Sequence, residues 1–162
     1  MIVVENEVAI PARPEAVWEV LIDFEHYPRW HPFIRFTGPA ELGAEVEYFY
    51  TSKLPGMRRF RKMRAFARIT ALEAPSDFAW RIGMGSFFFR IDEIYHLERH
   101  PTGTRLAHRT EYHGLVARLA HAGLASRAYA SMCQADAALR ARFVKRPPPP
   151  APPRKPRKWG RR

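Results

Sequence analysis

Phe87-Phe-Phe-Arg-Ile-Asp-Glu-Ile-Tyr-His-Leu-Glu-Arg-His-Pro-Thr-Gly-Thr-Arg-Leu-Ala-His-Arg-Thr-Glu-Tyr-His-Gly114 is the stretch on which the fold turns. Up to Glu98 it alternates, with Phe87, Phe89, Ile91, Tyr95 and Leu97 on one side, the period of a half-buried strand. Pro101-Thr102-Gly103 makes a turn into a second alternating run, Arg105–His113. At Gly114 the period changes. Leu124, Ala128, Met132, Ala135, Leu139 and Phe143 recur at intervals of three and four, and ten alanines lie between Ala117 and Ala141. That pattern predicts one long helix over 115–143, stopped by Pro147.

Upstream, Ile2–Ile10 reads as a strand, and Pro14 opens a short helix whose apolar face is Val17, Trp18, Val20, Leu21 and Phe24. A second helical turn, Glu25–Trp30, is interrupted by Pro28 and closed by Pro32. Strand-like runs follow at Phe33–Phe36, Glu45–Thr51, Arg58–Leu72 and Phe78–Ile82. The fold class is therefore α+β. We expect a curved six- or seven-stranded antiparallel sheet wrapped round the C-terminal helix, with two short helices after the first strand. Curved sheet and straight helix cannot touch everywhere, so a hollow between them is expected.

The chain has 162 residues and a net charge of +11, but the charge is unevenly placed. Lys145–Arg162 holds eight basic residues, no acid and seven of the 15 prolines, leaving only +3 for residues 1–144. The sequence thus divides into a folded domain, 1–144, and a Pro-rich basic tail, 145–162, expected to be disordered. With Trp159 and the run Arg58, Arg59, Arg61, Lys62, Arg64 and Arg68, the tail offers a surface for nucleic acid or an anionic membrane; a solubilising extension is the simpler role. The lone Cys133 excludes a disulfide framework and a cysteine zinc site. The histidines lack metal-ligand spacing and no cofactor motif is present, so no metal and no cofactor are expected. Without a leader or a transmembrane segment, a cytoplasmic location is expected.

Four stretches carry a family resemblance: Ile10-Pro-Ala-Arg-Pro-Glu-Ala-Val-Trp-Glu-Val-Leu-Ile-Asp-Phe-Glu-His-Tyr-Pro-Arg-Trp-His-Pro-Phe33, then Arg68–Pro75, Phe78–Arg81 and Leu106–Gly114. Together they resemble the polyketide cyclase/dehydrase-like branch of the START-like (SRPBCC) superfamily over residues 2–143. The resemblance implies a helix-grip fold around a pocket for apolar or amphipathic small molecules. The superfamily spans lipid carriers, hormone receptors, coenzyme Q-binding proteins and aromatase/cyclases, so it does not select one activity. It also places Trp30 and Phe33 near the pocket mouth, although both Trp18 and Trp30 can equally be packing residues.

Period-two counting puts Tyr48, Tyr50, Trp80, Phe87, Phe89, Tyr95 and Tyr112 on the inner sheet face, opposite Ala128 and Met132 of the helix. Glu93, His108 and Thr110 fall on the same face. An inward Glu93 needs a partner or a proton. It can form an acid/base couple with His108, pair with Arg81 or Arg109, or be turned outward by a bulge. Three functions follow. The leading one is binding, or carriage, of a hydrophobic or aromatic small molecule in an apolar pocket. The second is a cofactor-independent cyclase or dehydratase using His108 and Glu93. The third is an interaction module acting through its tail. The residues favour a binder over an enzyme.

Overall fold

The computed structural model describes residues 1–52, 61–84, 88–115, 117 and 121–144. Arg58, Arg59, Phe87 and the tail from Lys145 lie outside the described residues. The elements run β1 (Ile2–Ile10), α1 (Pro14–Ile22), a 3-10 helix (Phe24–Arg29), β2 (Ile34–Thr37), β3 (Glu45–Ser52), β4 (Arg61–Glu73), β5 (Asp77–Met84), β6 (Phe89–His100), β7 (Gly103–His113) and α2 (His121–Ala141). The strands form one open, seven-stranded antiparallel sheet in the order β1-β7-β6-β5-β4-β3-β2. Sheet plus C-terminal helix is an arrangement consistent with a helix-grip fold. Among the described residues no helix is long and apolar enough to cross a membrane.

β2 to β7 are joined in chain order, and only β1 must find a distant partner, β7. Side-chain alternation drives that pairing, since Ile2, Val4 and Ile10 of β1 are buried with Leu106 of β7. Pro14 starts α1 with Glu15 in its first turn, favourable for the positive end of a helix dipole. Val17, Trp18 and Leu21 then bury one face. The helix stops where the Tyr27 hydroxyl donates to the Leu21 carbonyl at 2.8 Å, satisfying one of the orphan acceptors of its last turn. Trp18 is a core residue here. An aromatic lattice fills the centre of the core: Phe24 stacks on Phe36 at 4.5 Å, and Trp80 meets Phe36 at 5.7 Å and Tyr48 at 5.1 Å.

One expected boundary moves, and one strand shifts register. Helix α2 ends at Ala141, well before Pro147, because Arg142 and Phe143 donate their N–H groups only three residues back, to Leu139 and Arg140. β4 carries a register shift between Ile69 and Ala71, so Leu72 rather than Ala71 continues its packed face. The helix rests chiefly on β1. That off-centre placement leaves the middle of the sheet without helix backbone above it.

Gly103 closes the β6–β7 turn with φ +136°, and a Cβ there would collide with the Ile10 carbonyl oxygen and lie 2.8 Å from the Ala12 nitrogen. Gly103→Ala should therefore cost roughly 2–3 kcal/mol of stability. Urea denaturation checks this, and a loss below about 0.5 kcal/mol contradicts it.

Candidate functional site

Strand register brings the inward polar residues together. Across the sheet Asn6 pairs with His108 and His108 with Tyr95, so these three side chains share one row over β1, β7 and β6. Glu93 stands one inward position along β6, opposite Thr110 and next to Trp80. From above, Asp136 reaches down from the buried stripe of α2, four residues after Met132 and three before Leu139.

These groups bond into a single chain. Asn6 Nδ2 donates to Asp136 Oδ2 at 2.7 Å, and His108 Nδ1 lies 2.7 Å from Asp136 Oδ1. His108 Nε2 lies 3.2 Å from Glu93 Oε1, which also accepts the Tyr95 hydroxyl at 2.7 Å. Tyr95 stacks on the imidazole at 4.2 Å, fixing its plane. His108 and Asp136 are each 2 % exposed and Glu93 9 %. Burial alone pushes the His108 pKa down. The hydrogen bonds to Asp136 and then Glu93, with the charges of both carboxylates, outweigh burial and raise it to about 9. At neutral pH the ring is thus an imidazolium donating from both nitrogens.

Glu93 and His108 form the floor of a cavity of about 710 Å³ between sheet and helix. Tyr48, Tyr50, Trp80, Phe89, Ile91, Thr110 and Tyr112 supply its sheet wall, and Phe33 and Ile34 one end. Leu124, Ala128, Ser131, Met132 and Ala135 supply the helix wall, with Lys62 and Arg127, both exposed, at the rim. The phenols of Tyr48 and Tyr112 are held protonated, first by burial and then by the Glu93 charge. Apolar walls over a charged floor make the cavity amphipathic, with Glu93, His108 and Thr110 on the inner face where alternation puts them.

Three further expectations change. Tyr95 does not line the cavity: sandwiched between His108 and Phe78, it lies beneath the floor. Trp30 is not part of the cavity lining but borders an outer groove of about 1090 Å³ beside β2, which shares His31, Phe33 and Lys62 with the cavity. The Tyr27 carbonyl accepts from both the Trp30 and His31 amides, and this turn gives His31 the place in the cavity wall. Arg81 and Arg109 do not reach Glu93, because they bond Asp92, Glu5 and Glu111 on the opposite face of the sheet. On that face Asp92, Glu111 and His113 gather within 4.8 Å, an acid–histidine cluster that spacing along the chain does not reveal. Arg81, Arg90 and Arg109 bond its carboxylates, supplying the positive charge that a cation would bring.

Asn6, His31 and Asp136 are the residues that sequence reasoning passed over. Asn6 was detectable as the polar member of the inward series Ile2, Val4, Asn6, Val8. Asp136 was detectable as the one acid within the apolar stripe of α2. His31 carried no periodic signal.

A sheet and helix enclosing an amphipathic cavity define a fold that fits a small-molecule pocket. The chain belongs to the polyketide cyclase / dehydrase and lipid transport family, whose model matches residues 1–143. Solved structures share the fold at low identity. Protein CV1439 from Chromobacterium violaceum aligns with TM-score 0.68 and 15 % identity, over 87 % of this chain and 96 % of its own. TTHA0849 from Thermus thermophilus aligns with TM-score 0.68 and 18 % identity, over 88 % and 97 %. DynU16, from the dynemicin biosynthetic locus, aligns with TM-score 0.62 and 16 % identity, over 86 % of this chain and 46 % of its own. No curated protein is significantly similar in sequence.

The raised His108 pKa has a sign. Its contribution to stability is complete below the unfolded value of 6.5 and disappears as pH rises through about 9. Asp136→Asn should cost on the order of 3 kcal/mol near pH 6. The gap to wild type should narrow above pH 9, as measured by denaturation at several pH values; a gap independent of pH contradicts the imidazolium assignment.

Proposed function

We propose that this protein binds, and carries, an amphipathic small molecule with an aromatic or acyl body in the cavity between sheet and helix. The observation that carries this reading is the cavity itself. Its volume of about 710 Å³ suits a drug-sized ligand, and its walls are mostly aromatic or small. Phe33, Tyr48, Trp80, Phe89 and Tyr112 provide flat contact surfaces, and Ala128 and Met132 leave room above them. A ligand fitting this space places its apolar body against the aromatic wall and its polar end on the floor. Family membership supports the reading.

One observation favours a second reading, chemistry in the same cavity: Glu93 is a buried carboxylate at the floor, held by Tyr95 and an imidazolium. There it is positioned to take a proton from carbon beside a ligand carbonyl, as cyclisation or dehydration requires. In a dehydration the C–H electron pair forms the new double bond, and the hydroxyl leaves as water with the proton that Glu93 has taken.

Ala128→Trp tests the binding reading, because the indole fills the hollow. Binding of the fluorescent naphthyl ketone prodan should be lost with the fold intact. Retained binding with a stability loss of about 1–3 kcal/mol, the signature of overpacking, overturns the reading. For the second reading, dehydration of 4-hydroxy-4-(2-naphthyl)butan-2-one is followed by enone absorbance. Glu93→Gln should slow it by about 100-fold or more, and a wild-type rate equal to buffer removes the enzymatic reading.

A further inference from the structure

We infer that the cavity selects a ligand carrying a hydroxyl on its aromatic or acyl body, and that this hydroxyl donates to Glu93 Oε2 at the floor. The inference rests on the ligand-binding reading of the cavity and adds the chemical group its ligand carries.

The two oxygens of Glu93 are used unequally. Oε1 accepts both the Tyr95 hydroxyl at 2.7 Å and the His108 Nε2–H at 3.2 Å. Oε2 has no hydrogen-bond partner among the described residues. Nor is it sealed off: among those residues the unpartnered side-chain atoms without accessible surface are Trp30 Nε1 and His31 Nε2, and Oε2 is not one of them. The Glu93 side chain keeps 11 % of its surface. Glu93 stands on the inner sheet face in the cavity lining, so that surface opens into the cavity. A carboxylate oxygen has room for two hydrogen bonds, and leaving one without any in an apolar enclosure is costly. A donor on the ligand supplies what the protein does not.

The charges around the floor decide which donor. Asp136 and Glu93 flank one imidazolium, so the group as a whole is negative. Both N–H groups of that ring are spent on the two carboxylates, which leaves the imidazolium no N–H for a ligand anion at the floor. A ligand cation has to pass Lys62 and Arg127, the exposed cations of the rim. A neutral hydroxyl meets neither obstacle. An acid group elsewhere on the ligand is compatible with the site, because Lys62 and Arg127 receive it at the rim while the hydroxyl points down. Burial first, and then the Glu93 charge, keep the Tyr48 and Tyr112 phenols protonated. The same lining thus holds O–H groups that can donate back to the ligand oxygen.

Two ligands of nearly the same shape separate the possibilities: 2-naphthol, and 2-methylnaphthalene, in which a methyl replaces the hydroxyl. Titration calorimetry measures both on wild type and on Glu93→Gln, at neutral pH, where the phenol keeps its proton. In the variant the amide oxygen takes over the two bonds of Oε1, and the NH2 group, a donor, stands where Oε2 accepted. Wild type should bind 2-naphthol about tenfold more tightly than 2-methylnaphthalene, and the variant should lose that preference. Equal affinities in wild type, a preference kept by the variant, or binding of prodan but of neither naphthalene overturn the hydroxyl selection and leave the cavity reading standing. If none of the three binds wild type, both readings fall. Should the variant not fold, carbon-13 NMR of wild type decides. The Glu93 carboxyl signal moves with 2-naphthol and not with 2-methylnaphthalene, and a signal that answers both alike, or neither, overturns the inference.

Discussion

Asp136 holds the helix to the sheet at one height. Its two oxygens are bound separately, one by Asn6 of β1 and one by His108 of β7, so α2 is joined through one carboxylate to adjacent strands. Apolar packing alone would let the helix settle wherever contact is greatest, because hydrophobic attraction has no direction. Charged hydrogen bonds do have direction and length. They set the helix over β1 and β7, and everything beyond that line, from β6 to β3, lies under a helix face of Ala128, Ser131 and Met132 that is too short to reach it. The cavity is a consequence of where this carboxylate sits.

The same attachment divides the cavity's two histidines by charge. His108 is anchored to carboxylates and carries a proton at neutral pH; His31 is anchored to backbone N–H groups and does not. Burial opposes the charged form of both rings equally in kind. The outcome depends on what faces Nδ1: an anion in one case, two donors in the other. The cavity thus combines an imidazolium that steadies Glu93 with a neutral ring whose Nε2 has no partner among the described residues.

Much of this was legible in the chain. Alternation from Leu106 to Tyr112 and from Ile91 to Leu97 puts His108, Thr110 and Glu93 inside, and the register agrees. Alternation reports a side and not a depth, which is why Tyr95 was expected to line the cavity when it lies under it. The outward series hid its own relationships: Asp92 meets Glu111 and His113 only across the β6–β7 ladder, and Arg81 joins them from β5. His31 depended on one backbone turn after Tyr27, where two amides share a carbonyl. No period describes such a turn. The partner of Glu93 was a choice among alternatives until the third dimension supplied Tyr95 and His108.

An open sheet, unlike a barrel, ends in two strands with one side unpaired, and each is a template for unwanted strand addition. β2 limits the hazard by brevity: at four residues, with Arg35 exposed in the middle, it offers little to extend. β1 is nine residues long and needs other protection. Glu5 and Glu7 are exposed along it, so an incoming segment must bring compensating charge. At its far end Arg140 of α2 donates Nε to the Ala9 carbonyl at 3.0 Å, occupying an acceptor that a foreign strand would use. The helix that roofs the cavity therefore also serves as a guard against aggregation, and changes made to it for the sake of ligand binding act on solubility as well.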